Sequence, residues 1–557
     1  MILKRFAKYL ENYFCRPSQI SIEIARIVFG ICSLLIFQFK QLIISGNQVY
    51  NGWNISNYYP KGILAIICPQ VPSIATIDLW MSLQYLSALF LIFGLFSRTS
   101  LIVNFFCNLF LISLSESFSV AWSHGYNLNL LAQMPFIFAP VGRLLSVDSL
   151  INKYILKREI KKSFNAIYVW MANLGIVSIF CNAFYWKIFS DRQSVSLKWA
   201  LSDNFRNQII IRYSYLSEEI PSYLNFIVNS QFWCQFVAFL NLSFQALPFL
   251  SLFFIRKPIL RFLFGFLFVI EEIGLAFVMQ LFDWYWIPLF LIFIDWDYFL
   301  GQRNVENQSI FNNFKFKLIA GIYSIYVFIY FSIAFCFYLP FGYYANGGGI
   351  NSYPFSAFSM YSGLLIKNEF GLVKMLGFDM DFLKKEFLKE QSEKEAIIKK
   401  INRKFYGYYS QKDSIEVRNG LNYLKDYLKN NYILETDSLA VKRVIYEFTS
   451  FPEKAGVKKY LETNIGILNR GKFLYAYPNL SSSDDSIFVE PILIGFINPK
   501  INLKIYNYKH KKVFDIKNNI LSFNKNLPLI DGGKLLFVLE IKDNNLVYLF
   551  SGYEENI

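Results

Sequence analysis

Residues 76–122, TIDLWMSLQYLSALFLIFGLFSRTSLIVNFFCNLFLISLSESFSVAW, hold two apolar runs of span length joined by a tight turn that carries Arg98. A bilayer core asks for about 20 mostly apolar residues per helix, and only closed hydrogen-bonded structures survive there. The hairpin therefore predicts two membrane spans, and the same pattern extends in both directions. Apolar segments at 20–45, 76–96, 99–122, 125–142, 165–190, 232–255, 258–281, 284–301 and 316–341 predict a multi-pass α-helical membrane bundle of about nine spans. The segment 62–75, broken by Pro69 and Pro72, is too short to cross and is expected at the interface.

Composition agrees. Of the 557 residues, 54% are hydrophobic and 19% aromatic, more than a soluble core of this size needs. The net charge of +15 is spread over loops, with no basic stretch interleaved with aromatics, so no nucleic-acid partner is expected. The seven cysteines, Cys15 to Cys336, include no CxxC pair and fall mostly inside apolar runs, so neither a structural metal nor a disulfide framework is expected.

Lysine and arginine set the expected orientation. Residues 1–19 form a basic amphipathic segment without the short apolar core of a cleaved signal, and are read as lying on the cytoplasmic surface. Arg98, the cluster from Arg143 to Lys162, Arg256 with Lys257 and Arg261, and Arg303 with Lys315 and Lys317 then share that face. The loop 191–231 balances its charges and is read as exterior. Residues 20–342 are thus the bundle, and 343–557 an extracytoplasmic α+β domain that opens at Gly347-Gly348-Gly349. In that domain, 380–435 has helical spacing, and FLYAYPNL, IFVEPILIGFI, LKIYNY and KLLFVLEI read as strands of a β sandwich or roll.

Few titratable groups sit among the spans. His124, in AWSHGYN, falls at the exterior end of the third and fourth spans, where an imidazole can exchange protons near neutral pH; a loop histidine meeting headgroups is the plainer reading. Lys187, in CNAFYWKIFSD, closes the fifth span among aromatics that strip its water, which suits a base; a snorkelling lysine is the plainer reading. Glu271 and Glu272, in FVIEEIGLAF, point about 100° apart, so at least one faces the bundle interior. That carboxylate serves either as an acid or as a hydrogen-bond partner for Asn or Gln on a neighbouring span. Glu23 and Arg26 make a local i,i+3 pair, Asp283, Asp295 and Asp297 mark span ends, and His510 is a surface residue among lysines. No hydrolase triad order, HExxH, phosphate loop or nucleotide fingerprint occurs.

These stretches resemble the HTTM (horizontally transferred transmembrane domain) family of the vitamin K-dependent γ-glutamyl carboxylase type. The resemblance runs over about 20–340, through IEIARIVFGICSLLIF, LFLIFGLFSRTSLIVNFFCNLFLIS, SHGYNLNLLAQMPFIFAPVGRLLSVD and FCNAFYWKIFSD, and weakly through YPFSAFSMYS. It implies that Lys187 is the base that deprotonates a reduced naphthoquinone (vitamin K or menaquinol) and that His124 handles the substrate carbanion; in the enzyme reading that follows, Glu272 is an auxiliary acid. The implied substrate is a glutamate of an exported peptide or protein, and membrane lipid is the other partner. Trp186 stands where the carboxylase pattern has a second lysine, and Glu272 where many members have histidine. Two functions stay open: a quinol-dependent carboxylase-like enzyme, or a non-catalytic membrane component for maturation or export of a partner peptide. A transporter is disfavoured because no inverted repeat is present.

Overall fold

A computed structural model of the chain describes residues 18–44, 64–117, 127–158, 166–189, 195–216, 219–254, 256–281 and 284–301. From 375 on it describes shorter stretches, chiefly 438–449, 453–455, 457–469, 471–482, 486–497, 499–507, 512–517, 534–543 and 546–555. The chain forms two compact units, one of 1–200 with 237–364, the other of 201–236 with 365–557.

The first unit is helical. Its long elements are α1 (Gln19–Ile44), α2 (Ile74–Phe93), α3 (Ser97–Ser117), the short α4 (Asn127–Gln133) and α5 (Ile167–Ile188). Beyond α6 (Asn204–Leu216), which belongs to the other unit, come α7 (Gln231–Ala246) and α8 (Pro258–Met279). Among the described residues six helices are long and apolar enough to cross a membrane: those at Gln19–Ile36, Ile74–Phe93, Ser97–Leu114, Ile167–Ile188, Gln231–Phe253 and Pro258–Met279. Their polarity is turned inside out. On α2, Leu79, Leu83, Leu86, Leu89 and Phe93 are exposed at helical spacing, while Gln84 and Ser87 are buried. That is the arrangement of a helix solvated by lipid.

The expected fourth and eighth spans come out differently. Residues Asn127–Gln133 make two turns of α-helix and then tighten into a 3₁₀ segment, Met134–Phe138, at Pro135. Trp284–Phe293 is likewise 3₁₀ throughout, with Pro288 inside it. Proline removes a donor and clashes with the preceding turn, so each apolar run is interrupted before it reaches span length. The expected ninth span, His124 and His510 lie outside the described residues.

Aromatic packing fixes the middle of the bundle. Phe268 on α8 meets Phe180 of α5, Trp286 and Phe293 with ring centroids 5.2, 5.7 and 5.3 Å apart. At one end, carboxylates distant in sequence close the helix termini. Asp297 accepts from the amides of Ile20 (3.0 Å) and Ser21 (2.9 Å) and from the Ser21 hydroxyl (2.7 Å), and so caps α1 in place of Ser18, whose Oγ has no hydrogen bond among the described residues. Asp297 does more than mark a span end: Asp297→Ala should cost about 1–2 kcal/mol of bundle stability, measurable by thermal unfolding in detergent. Asp148 does the same for α3, accepting from the amides of Phe96 (2.8 Å) and Ser97 (2.7 Å). The segment between is tight: Gly142 has φ +81°, and a Cβ there would stand 2.6 Å from Ser97 Oγ.

Among the described residues, the second unit is built on one hydrogen-bonded sheet of ten strands. They are β1 (Met375–Phe378), β2 (Ser438–Phe448), β3 (Val457–Asn469), β4 (Lys472–Ser482), β5 (Ser486–Ile494), β6 (Lys500–Asn507), β7 (Lys512–Lys517), β8 (Ser522–Asn524), β9 (Lys534–Asp543) and β10 (Leu546–Glu555). The order runs β7-β6-β9-β10-β3-β4-β5-β8, with β2 and then β1 branching from β3. Neighbours are antiparallel except β10 with β3. Each of the four strands expected from sequence is present, in β4, β5, β6 and β9. Alternation places Leu503, Leu539, Ile541 and Phe550 in a core on one face. On the other, Lys504 pairs with Glu540 at 2.7 Å.

The expected exterior loop 191–231 is not a bare connection. From 201 on it is part of this unit, and its helix α6 buries Arg206. That guanidinium donates to the carbonyls of Val228 (2.7 Å), Glu453 (2.7 Å) and Thr449, while the amide of Ala455 donates to Asn229 Oδ1 at 2.8 Å.

Candidate functional site

Lys187 lies in the last turn of α5 and is 3% exposed. A lysine at a span end ordinarily turns its amine to the interface. This one turns inward and meets α7, where Asn241 and Gln245, four residues apart and hence on one face, present their side chains. Lys187 Nζ donates to Asn241 Oδ1 at 2.7 Å and to Gln245 Oε1 at 3.1 Å, and lies 4.5 Å from the centre of the Trp199 ring. Two amide oxygens and an indole face together suit an ammonium.

The same two amides hand their nitrogens to α8. Asn241 Nδ2 donates to Glu271 Oε1 at 3.2 Å, and Gln245 Nε2 donates to the same oxygen. Glu271 is 3% exposed, and its Oε2 has no hydrogen-bond partner among the described residues. The result is one cation and one carboxylate, bridged by two carboxamides and buried within apolar helices. A lone charge at this depth is costly, and the opposite charge offsets that cost. No group of three or more His, Cys, Asp or Glu that could hold a metal occurs among the described residues.

Lys187 thus sits where the sequence put it, but with partners only partly foreseen. The aromatics beside it in sequence are occupied with one another: Tyr185 packs on Trp186 and Phe189, with centroids 5.4 and 4.5 Å apart. The ring over the ammonium is Trp199, and it came with no sequence signal. Of the adjacent glutamates, Glu271 rather than Glu272 carries the hydrogen bonds of the cluster; Glu272 is also buried. The signal for Asn241 and Gln245 was available in NLSFQ, where two carboxamides at i,i+4 interrupt an apolar helix. His124 falls outside the described residues.

Glu23 and Arg26 form a second charged pair, 2.8 Å apart and both fully buried. Glu23 accepts from the amides of Gly142, Arg143 and Leu144 at 3.1, 2.7 and 3.2 Å, and from Gln19 Nε2 at 2.8 Å. Arg26 donates to the carbonyls of Leu91, Ile92 and Leu145. These contacts tie three parts of the unit together, which fits a clamp between α1, α2 and the 142–145 segment. Compared with protein-family models, with curated proteins and with solved structures, the chain matches none.

Proposed function

We propose that this chain is an integral membrane enzyme of the quinol-dependent, carboxylase-like kind that the HTTM resemblance implies, acting on an exported peptide or protein. Lys187 is its base and Glu271 its counter-charge. The observation that supports this most is the inward turn of Lys187 onto Asn241 and Gln245, with Glu271 behind them. A merely snorkelling lysine has no need of a buried carboxylate. His124 keeps the part in handling the substrate carbanion that the resemblance implies, and serves as proton donor. The auxiliary acid expected at Glu272 is assigned instead to Glu271, whose second oxygen is free to take a proton.

The residues present suit a reduced naphthoquinone in kind: the indole of Trp199, one ammonium to hold an oxyanion, and one unpartnered carboxylate oxygen to accept from a hydroxyl. When bound, that group would supply the reducing power for chemistry with oxygen. The chain's own part is narrower. With its ammonium proton shifted to Glu271, Lys187 would as a neutral amine take and hold the hydroxyl proton, while Asn241 and Gln245 fix where Nζ points. Glu271 keeps the cluster neutral overall, so that moving a proton does not strand a charge in the membrane.

The non-catalytic reading also has an observation in its favour, since the two amides and the Trp199 ring satisfy the ammonium without any ligand. Oxygen-linked consumption of reduced naphthoquinone by the protein in lipid nanodiscs separates the two. The enzyme reading expects consumption that falls by about 100-fold or more in Lys187→Met, as loss of a positioned base does. Rates no higher than in empty nanodiscs for both proteins would support the non-catalytic component, and equal rates above that level would remove Lys187 as the base.

A further inference from the structure

The turn between α2 and α3 carries a second surface element, residues 145–158, fixed to it by named contacts. Asp148 accepts from the amides of Phe96 and Ser97, and its own amide donates to the Gly94 carbonyl at 3.0 Å. Arg26 donates to the Leu145 carbonyl at 2.7 Å. After a cap at Ser146, Val147–Leu150 make one α-helical turn, and Ile151–Ile155 continue it as a π turn. The amide of Leu156 then donates to the Ile151 carbonyl (3.0 Å), and that of Arg158 to the Asn152 carbonyl (2.9 Å). Both α2 and α3 are long and apolar enough to cross a membrane, so their joining turn belongs where acyl chains give way to headgroups. The attached element shares that depth.

From Lys153 to Arg158 every residue is exposed, Tyr154 at 66% and Ile155 at 71%. A helical turn with no protein packed on it is a poor structure in water, where isolated helices shorter than about 12 residues are marginal. The backbone is also bent to keep apolar side chains outside. Phe96 and Leu145 have φ of +46° and +47°, a left-handed region unfavourable to any side chain with a Cβ, and Lys157 has φ +51°. Yet Phe96 and Leu145 remain 65% and 57% exposed. Strain held in place by Asp148 and Arg26 to present two large apolar side chains calls for an apolar medium beyond them. Leu89 and Phe93, on the exposed apolar stripe of α2, lead directly up to Phe96. Cations interleave with these groups. Lys153, Lys157 and Arg158 are exposed, and Lys153 Nζ stands 5.0 Å from the centre of the Tyr154 ring. The one carboxylate of 145–158, Asp148, is taken up by the amides that open α3.

We infer that residues 145–158 form an interfacial anchor that binds anionic phospholipid in the adjoining leaflet. Phe96, Leu145, Tyr154 and Ile155 enter the acyl boundary, and Lys153, Lys157 and Arg158 take the anionic headgroups. The anchor makes no use of Lys187 and does not depend on the enzyme reading.

The test is limited trypsin digestion of the full chain in nanodiscs of phosphatidylcholine, or of an equal mixture of phosphatidylcholine and phosphatidylglycerol. Cleavage after Lys153, Lys157 and Arg158 is read by mass spectrometry against cleavage after Lys472, an exposed lysine of the sheet unit. The phosphatidylglycerol mixture should slow cleavage in the segment about tenfold relative to Lys472, and roughly 1 M salt should remove most of that difference. Ile155→Glu alters an exposed side chain, so the fold should survive it, and fast cleavage should return in the mixture. Equal cleavage in the two compositions overturns the proposal. Slow cleavage that persists in detergent overturns it too, because a protein surface such as a second copy of the chain then covers the segment. So does slowing by phosphatidylglycerol that Ile155→Glu leaves unchanged, since the segment then touches headgroups without lying among them.

Discussion

Lys187→Met should cost the bundle about 3–5 kcal/mol, and adding Glu271→Leu should restore most of that loss. Removing one member of a buried pair strands the other charge, whereas replacing both with apolar groups is often nearly neutral. Here the stranded group would be Glu271, held by Asn241 and Gln245 within apolar helices. Glu271→Leu alone should be similarly damaging, because it leaves the Lys187 ammonium with amide oxygens and an indole ring but no counter-charge. A double-mutant cycle read by reversible unfolding in detergent should return a coupling energy of at least about 2 kcal/mol. Strictly additive single effects would mean that the two charges do not sense each other through the amides. Quinol consumption should stay lost in the double variant even where stability returns, which separates a catalytic lysine from a structural one.

Glu23→Ala should be the most damaging change at the other end of the bundle, again about 3–5 kcal/mol. Its carboxylate gathers three backbone amides of the 142–144 turn, Gln19 and Arg26, and its loss leaves the fully buried Arg26 without a counter-charge. Glu23→Gln should recover only part, since a carboxamide offers one acceptor oxygen to donors that now use two. Protease sensitivity of the 142–145 segment gives a local readout. If cleavage there is unchanged in Glu23→Ala, the clamp is not what holds that segment.

Much of this architecture could be read from residue order. The hairpin at 76–122 became α2 and α3 because two apolar runs of span length leave a helix pair as the way to satisfy the backbone in lipid. The strand assignments held for a similar reason: alternation in KLLFVLEI and LKIYNY records one buried and one wet face. What hydropathy could not register was shortening. Residues 125–142 and 284–301 are apolar enough, but Pro135 and Pro288 set the local geometry, and a sum over a window does not weigh a missing amide. Nor could it foresee that Asp297 caps α1 across 277 residues of sequence, or that α6 belongs with the strands through Arg206.

The candidate site was legible in part, as a set of residues whose burial is costly. Lys187 stood out because a charge at that place is costly. Adjacent glutamates differ by about 100° in direction, so sequence narrowed the carboxylate to two without choosing between them. Trp199 left no trace because its meeting with Lys187 depends on how the chain returns after α5.

The measurement that bears most directly on Lys187 as a catalytic base is label fixation. Purified protein in lipid would be given reduced naphthoquinone, oxygen, labelled bicarbonate and a glutamate-rich peptide, beside its Lys187→Met and Lys187→Met/Glu271→Leu variants. Quinol-dependent incorporation into the peptide by the unaltered chain, absent from both variants, is the predicted result. Incorporation that persists without Lys187, or none from the unaltered chain together with no quinol consumption, would contradict it.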